Sequence, residues 1–324
     1  MAQGFAHACL RTSALVAALA LAAFTPAAAQ DYPTHPITLI VPYPPGGGVD
    51  VMGRLVGQKL SAALGQQVVI ENRGGAGGMI GTRDAARAAP DGYTIVMLLT
   101  GISLGPNPGY DVNKDFAPIG LVASTPILVV ANPTLPATSL TDVIALAKKQ
   151  PGKLAAGTLP PPTINYFAAE LFNLMAGVDI NVVPYKGTAA LTNDLLGDHV
   201  PLGFNTIPAS VSNIAAKQLR GIAVAAAQRS AALPNVPTAA EAGLPGFEAV
   251  QYYGLAAPAG TPRPIIERLN KELRAILSTD DMKQRLITDG SDPAPSTPED
   301  YAANIRREEG KWAALIKKLG LKIE

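Results

Sequence analysis

The chain of 324 residues contains one cysteine, Cys9, one tryptophan and three histidines. A single thiol excludes a disulfide framework and a cysteine-rich metal site. No group of His, Cys and carboxylate residues has the spacing of metal ligands either. Charge is nearly balanced, with 26 Lys+Arg against 25 Asp+Glu. Such a balance creates no long-range field to gather polyanions, which argues against a nucleic-acid partner. Beyond the amino-terminal region no apolar run approaches the roughly 18 residues of a membrane span; the stretch Ile119–Ala131 is interrupted by Ser124, Thr125 and Pro126. What is plentiful is Gly (31) and Pro (29), together above average yet short of a disordered low-complexity composition. The length suffices for a full hydrophobic core and favours two domains over one.

The amino terminus reads as an export signal. Arg11 precedes the apolar run Ala14–Phe24, Pro26 breaks it, and Ala27-Ala28-Ala29 supplies the small residues a signal peptidase reads. The run is too short for a stable span, so residues 1–29 are expected to be cleaved and the mature chain to start near Gln30, exported and soluble. Cys9 lies before the apolar run and so does not fit a lipoprotein acylation site. Cleavage removes Arg11, Cys9 and His7. The mature chain then has equal numbers of cationic and anionic side chains, no thiol, and only His35 and His199. That leaves little nucleophile–base chemistry and favours a binder over an enzyme.

After Asp31, short apolar runs alternate with helical periodicity. Strands are predicted at Ile37–Val41, Val68–Ile70, Thr94–Leu99, Leu154–Ala156, Asn181–Val183, Leu202–Phe204, Leu219–Val224 and around Gln251–Ala256. Between them Met52, Leu55, Val56, Leu60 and Leu64 repeat on one helical face before Gly65. Further helices are predicted at Met79–Arg87, from Ser139 with its capping-box partner Asp142, over Ile164–Met175, and at Thr188–Leu196. Strand–helix alternation predicts an α/β fold with mostly parallel sheets flanked by helices. Thr261-Pro262 and Thr297-Pro298 each combine a cap residue with a proline suited to a first helical turn, the second helix ending at Gly320. These two helices bring no strands of their own, so they are expected to pack on the amino-terminal sheet. That makes domain 1 discontinuous, residues 30–122 plus 250–324, with domain 2 at 123–249 and a two-segment hinge between them.

Three glycine-containing motifs bear on function. Tyr43-Pro44-Pro45-Gly46-Gly47-Gly48-Val49-Asp50 joins a strand to a helix, where backbone N–H groups and the helix dipole suit a carboxylate or phosphate. A plain tight turn, with Asp50 as a dipole-favoured first-turn residue, is the alternative. Arg73-Gly74-Gly75-Ala76-Gly77-Gly78 has Ile80 where a dinucleotide fingerprint needs its third glycine, and no P-loop ending occurs, so no nucleotide cofactor is predicted. Gly101-Ile102-Ser103-Leu104-Gly105 matches a G-x-S-x-G nucleophile elbow, the mark of a secreted serine hydrolase. However, Pro106 and Pro108 deny it the following helix, and His199 is the main base available. Ser103 therefore reads better as a loop hydroxyl facing a cleft.

Taken in order, YPPGGGVD (Tyr43–Asp50), ENRGGAGG (Glu71–Gly78), APDGY (Ala89–Tyr93), KDFAP (Lys114–Pro118), VPYKG (Val183–Gly187), LPNVPTAAEAGLPG (Leu233–Gly246) and GTP (Gly260–Pro262) resemble the substrate-binding proteins of tripartite tricarboxylate transporters, the Bug or TctC-like family. The resemblance spans nearly all of the mature chain. It implies a two-domain periplasmic binding protein, type II-like, that closes on a small organic acid with one ligand carboxylate on the first strand–helix loop, partly through waters.

Two departures from that family stand out. Thr158-Leu159-Pro160-Pro161-Pro162-Thr163-Ile164-Asn165 replaces a Gly/Ser/Asn-rich loop, and prolines donate no N–H groups, so polar contacts there fall to Thr158, Thr163 and Asn165. Asn205 also stands where an acidic residue is common, which disfavours an amino-acid ligand. The expected ligand-binding set is thus Tyr43, Pro45, Gly46, Gly47, Gly48, Asp50, Ser103, Thr158, Thr163, Asn165, Tyr185, Lys186, Gly187 and Asn205. No catalytic residue, metal or cofactor is expected. The protein is expected to be monomeric, to bind a small carboxylate and to serve a tripartite tricarboxylate-type permease, or else to act as a ligand sensor without a dedicated permease.

Overall fold

The computed structural model describes residues 32–321. The signal-peptide assignment to residues 1–29 lies outside them. By contacts the chain divides into two units, Met1–Thr34 and His35–Glu324. The described residues of the first, 32–34, form no helix or strand; every described helix and strand belongs to the second.

Ten strands are described: β1 (Ile37–Val41), β2 (Val68–Asn72), β3 (Thr94–Leu99), β4 (Phe116–Ala131), β5 (Ala155–Thr158), β6 (Asn181–Pro184), β7 (Leu202–Thr206), β8 (Arg220–Val224), β9 (Val250–Pro258) and β10 (Asp292–Pro293). The α-helices are α1 (Gly48–Leu64), α2 (Met79–Ala86), α3 (Leu140–Lys149), α4 (Ile164–Ala176), α5 (Thr188–Leu196), α6 (Val211–Ala215), α7 (Arg263–Ser278), α8 (Asp280–Thr288) and α9 (Pro298–Leu319). The strands join in the order β2-β1-β3-β9-β4-β7-β5-β6, with β8 and β10 also paired to β4. Parallel pairing, which the alternation predicts, holds for β1 with β2 and β3 and for β5 with β6 and β7. The long crossover strands β4 and β9 add antiparallel ladders between these parallel sets.

Two lobes result, joined by a two-segment hinge. β4 pairs with β9 from Phe116↔Pro258 to Pro126↔Val250, then switches to β7 from Ile127↔Thr206 to Ala131↔Leu202. The return path is just as abrupt: Ala249 N–H donates to Ala225 O in the second lobe (2.9 Å), and the next residue, Val250, pairs in the first.

Local sequence explains the elements. In α1, Met52, Val56, Leu60 and Leu64 form a buried stripe at four-residue spacing. Gly53 and Gly57 let that helix lie directly on the sheet, since a Cβ at either would come within 2.6 Å of Val41 Cγ2 or 2.8 Å of Ile70 Cδ1. The predicted capping box is formed: Ser139 Oγ accepts from Asp142 N–H (3.1 Å) and Asp142 Oδ2 accepts from Ser139 N–H (3.0 Å). Thr297 caps α9 through Asp300 N–H (3.1 Å). The Thr261-Pro262 expectation is corrected. Pro262 is itself the cap residue and the helix begins at Arg263, because Thr261 Oγ1 donates back to Pro258 O (2.7 Å) instead of capping.

The carboxyl-terminal helices pack as expected on the first lobe's sheet at one end. Asn270 of α7 donates to Ile119 O at 2.7 Å, and Tyr301 of α9 occupies the space over Gly254. At its other end α9 crosses over. Trp312 and Leu315 are buried in the core of the second lobe, with Phe167, Phe172, Phe204 and Phe247.

Candidate ligand-binding cleft

The functional candidates sit at the carboxyl ends of parallel strands in both lobes, the position where open α/β sheets bind ligands. In the first lobe the Tyr43–Asp50 turn leads from β1 into α1. Its shape is held from below by Asp50, which is buried (4% exposed). Asp50 Oδ2 accepts from Gly46 N–H (3.0 Å) and Arg54 Nε (3.0 Å), and Oδ1 accepts from Asn72 Nδ2 (2.9 Å). Burial pushes this carboxyl up, but the bonds from Arg54, Gly46 and Asn72, with the charge of Arg54, outweigh it and hold the group below the usual carboxylate range. Asp50 is thus a brace for the turn rather than a group facing a ligand.

Gly46 adopts φ +84°, a left-handed conformation that favours glycine. Gly47 is the cap residue of α1, and no side chain caps the helix. The first-turn N–H groups, beginning with Gly48, are those that helix geometry leaves without a carbonyl partner. Tyr43 fastens the turn to the neighbouring glycine loop by donating its hydroxyl to Gly77 O (2.8 Å). Burial and the nearby Tyr110 and Tyr253 raise its pKa, so it remains a neutral donor.

The second lobe presents two more uncapped helix starts. Thr163 is the cap residue of α4 but its hydroxyl makes no capping bond, and Gly187 heads α5 likewise. The hydroxyls of Thr158 and Thr163 are both buried and have no hydrogen-bond partner. The lobes approach each other at several places, among them Gly290 beside Ile207, where a Cβ would collide with the isoleucine side chain. A Cβ on Gly47 would lie 3.8 Å from Thr188 Oγ1, so the starts of α1 and α5 come close to each other. A Cβ on Gly77 would lie 2.6 Å from Pro162 Cδ, and one on Gly101 3.0 Å from Pro162 O. The proline loop therefore fills its side of the interlobe space against Gly77 and Gly101.

An open cavity of about 180 Å³ lies beside the α1 start. Its first-lobe wall includes Gly46, Gly48, Met52 and Tyr253; its second-lobe wall includes Thr188, Pro208 and Ala209. Arg285, Leu286 and Asp289, of α8 and its end, also line it. Burial pushes the Tyr253 phenol up to about 12, with Thr125 opposing.

The sequence-predicted residues fall into distinct groups. Gly46 and Gly48 line the cavity and Gly47 faces Thr188, while Pro45 is exposed on the same turn. Thr158 and Thr163 supply the unpartnered hydroxyls. Asn165, Tyr185 and Asn205 are engaged inside their own lobe. Asn165 donates to Phe204 O (2.9 Å), and Tyr185 donates to Asp194 Oδ2 (2.9 Å), the phenol being pushed up to about 12 by burial and by that carboxylate. Asn205 donates to Thr192 Oγ1 (3.2 Å) and accepts from Thr206 N–H (2.9 Å). Lys186 is exposed, and Gly187, at the start of α5, has open space around its Cα. Ser103 sits half-buried in a turn closed by Leu104 N–H to Gly101 O (3.0 Å), with no helix following, so the elbow geometry is missing. Thr188, Pro208, Tyr253 and Arg285 are not legible as site residues in the sequence; only the YKG motif next to Thr188 points near one of them.

Among the described residues no group of three or more His, Cys, Asp or Glu could hold a metal, and no helix is long and apolar enough to cross a membrane. Fold and cleft together define a periplasmic-binding-protein architecture, two α/β lobes on a two-strand hinge with glycine turns facing each other. The chain belongs to the tripartite tricarboxylate transporter family of receptors, whose family model matches residues 52–321. It is 37% identical over 305 residues to the protein BugT of Bordetella pertussis, covering 92% of this chain and 94% of that one. Among solved structures it resembles R. palustris Rpa4515 with adipate (TM-score 0.85, 35% identity, 89% of this chain and 98% of that one). It also resembles MatC from Rhodopseudomonas palustris with bound malate (TM-score 0.82, 30% identity, 88% and 100%). The family is one of solute-binding proteins, not of enzymes.

Proposed function

We propose that this chain is an exported periplasmic receptor that captures a small organic carboxylate between its lobes and presents it to a tripartite tricarboxylate-type permease. The observation that carries the reading is the pairing of Gly47 with Thr188. Two helix starts without side-chain caps, one per lobe, come close to each other at the cleft. A carboxylate placed there accepts from the first-turn N–H groups of α1, an interaction worth about 0.3–2 kcal/mol. Micromolar affinity needs about 8 kcal/mol, so contacts from the second lobe must supply the rest. The buried Thr158 and Thr163 hydroxyls are available to bind the ligand or its bridging waters. Adipate and malate in the related structures support a carboxylic acid as the ligand class.

In this reading residues 1–29 are a cleaved signal, 30–122 plus 250–324 form the first domain and 123–249 the second, with the end of α9 reaching into the second domain's core through Trp312 and Leu315. The receptor works as a monomer, and closure excludes water and strengthens the polar contacts.

The test is Gly47→Leu. Gly47 has φ −85°, and a Cβ there meets only ordinary contacts, so the free protein should melt near the wild-type temperature. The larger side chain then covers the α1 N–H groups. A panel of carboxylic acids should raise the melting temperature of the wild type and not of the variant. An undiminished shift in Gly47→Leu rejects the placement, and a wild type shifted by no carboxylate rejects the function.

A further inference from the structure

The cavity beside the α1 start is lined by chemically different groups. Gly48 begins α1, where first-turn backbone N–H groups have no carbonyl partner, whereas the Gly46 N–H is already taken by Asp50. Arg285, in the last turn of α8, is the contrasting group. Much of the remaining lining is apolar: Val51, Met52, Leu55 and Leu286, with Pro208 from the second lobe.

Among the described residues Arg285 is the only cation lining this space. Its ion pair, Nε to Asp289 Oδ2 at 2.9 Å, engages one edge of the guanidinium. A guanidinium carries five N–H donors in a planar fork, so the Nη groups remain able to hold a planar anion alongside Asp289. The other charged lining group is Asp289 itself. Arg285 thus stands as a partly neutralised cation that attracts an anion only at short range.

On the reading of the cleft as a carboxylate site, we propose that Arg285 determines specificity by pairing with a second carboxylate of the ligand. The first carboxylate lies on the α1 N–H groups and an apolar spacer follows the Met52–Leu55 wall. A monocarboxylate uses the helix start alone and leaves the guanidinium to Asp289. A dicarboxylate of matching length uses both groups. A ligand amine is disfavoured beside Arg285 because it would meet the guanidinium first. Asp289 moderates the preference, since its carboxylate competes with the ligand for the same fork.

The experiment is isothermal titration of the full-length mature protein with two series of equal chain length, succinate to suberate and butanoate to octanoate. At one or more lengths the wild type should bind the dicarboxylate at least about tenfold tighter than its monocarboxylate counterpart, the scale of one charged hydrogen-bonded contact. Arg285→Gln should remove that difference, bringing the dicarboxylate affinity down to that of its monocarboxylate counterpart. Asp289→Asn should widen the difference. A preference that survives in Arg285→Gln, or a wild type that binds both series equally, overturns the role of Arg285 and leaves the carboxylate site standing. A wild type that binds neither series overturns both. Gly47→Leu separates the two claims, since it should abolish binding of both series and not merely the difference between them.

Discussion

Trp312 stacks on Phe167 with ring centroids 5.8 Å apart and planes 16° from parallel. Trp312 belongs to the carboxyl-terminal helix, whose other end is seated on the first lobe through Tyr301 and Gly254, whereas Phe167 belongs to the first turns of α4 in the second. Helix α9 is therefore a third link between the lobes beside the strands β4 and β9. The edge of the Phe167 ring also lies 3.3 Å from where a Cβ of Gly101 would be, next to the proline loop. Any relative movement of the lobes has to carry this stack or shear it.

Trp312 is fully buried, and its Nε1 makes no hydrogen bond. Trp312→Ala should cost about 3–5 kcal/mol of unfolding free energy, the range for an emptied aromatic core site. Trp312→Phe should cost clearly less, because the ring stack survives in part and no bonded N–H is lost. Urea denaturation followed by circular dichroism reads both. Equal costs would mean that the indole's position in the stack contributes nothing. Since this is the single tryptophan of the chain, its emission should also be that of an apolar environment and should change on ligand addition.

Gly46 and Gly77 separate strain from collision. Both have positive φ, +84° and +65°. A Cβ on Gly46 meets nothing within 4 Å, whereas one on Gly77 comes within 2.6 Å of Pro162 Cδ in the other lobe. Gly46→Ala should lose about 1–2 kcal/mol from backbone strain alone. Gly77→Ala should lose that much and also hold the lobes apart. The second variant alone should show a larger radius of gyration in small-angle scattering. Identical scattering for the two variants would show that the Gly77–Pro162 contact does not limit closure.

Much of the architecture is legible in the sequence because buried strands and one-face helices announce themselves through apolar spacing, as in Ile37–Val41 and the Met52–Leu64 stripe. β4 is not legible as a strand. Pro118, Gly120 and Pro126 argue against a central strand, yet register shifts fall between Pro118 and Gly120 and between Leu121 and Ala123, and Pro126 stands where β4 passes from β9 to β7. Helix α8 escapes pattern reading because only Met282 and Leu286 are buried in its nine residues, too few to show a period. The site is legible as a turn but not as a cavity. Residue type suggests Asp50, Asn165 and Asn205 as ligand groups, and only the folded chain shows their hydrogen bonds already used internally. Tyr253 and Arg285 come from segments more than 200 residues away from Gly48, a proximity that no local pattern encodes.

Asp50 makes the turn's stability depend on pH. Its folded-state pKa lies below the usual carboxylate value of about 3.9. A depressed carboxyl contributes stability above its unfolded pKa and loses it as pH falls through the folded value. Asp50→Asn removes the ion pair with Arg54 and leaves one amide oxygen where two carboxylate oxygens accept from Gly46, Arg54 and Asn72, so near neutral pH it should cost about 1–3 kcal/mol. The difference between wild type and variant should shrink as pH drops below about 4. Denaturant midpoints measured from neutral to acidic pH check this, and a difference that stays constant into acid would remove Asp50 from the role of brace.

Thr158 and Thr163 set the last expectation. A buried hydroxyl without a partner carries a desolvation cost that an isosteric methyl does not. Thr158→Val and Thr163→Val should therefore leave the ligand-free protein as stable as the wild type, or more stable by about 1 kcal/mol. The same changes should weaken carboxylate binding several-fold, because the hydroxyls are the second lobe's unspent donors next to the proline loop. Thermal melts with and without ligand separate the two effects. Destabilisation without loss of affinity would indicate that the hydroxyls serve the fold; loss of affinity at unchanged stability places them in the site, even though the three prolines beside them withhold their backbone N–H groups.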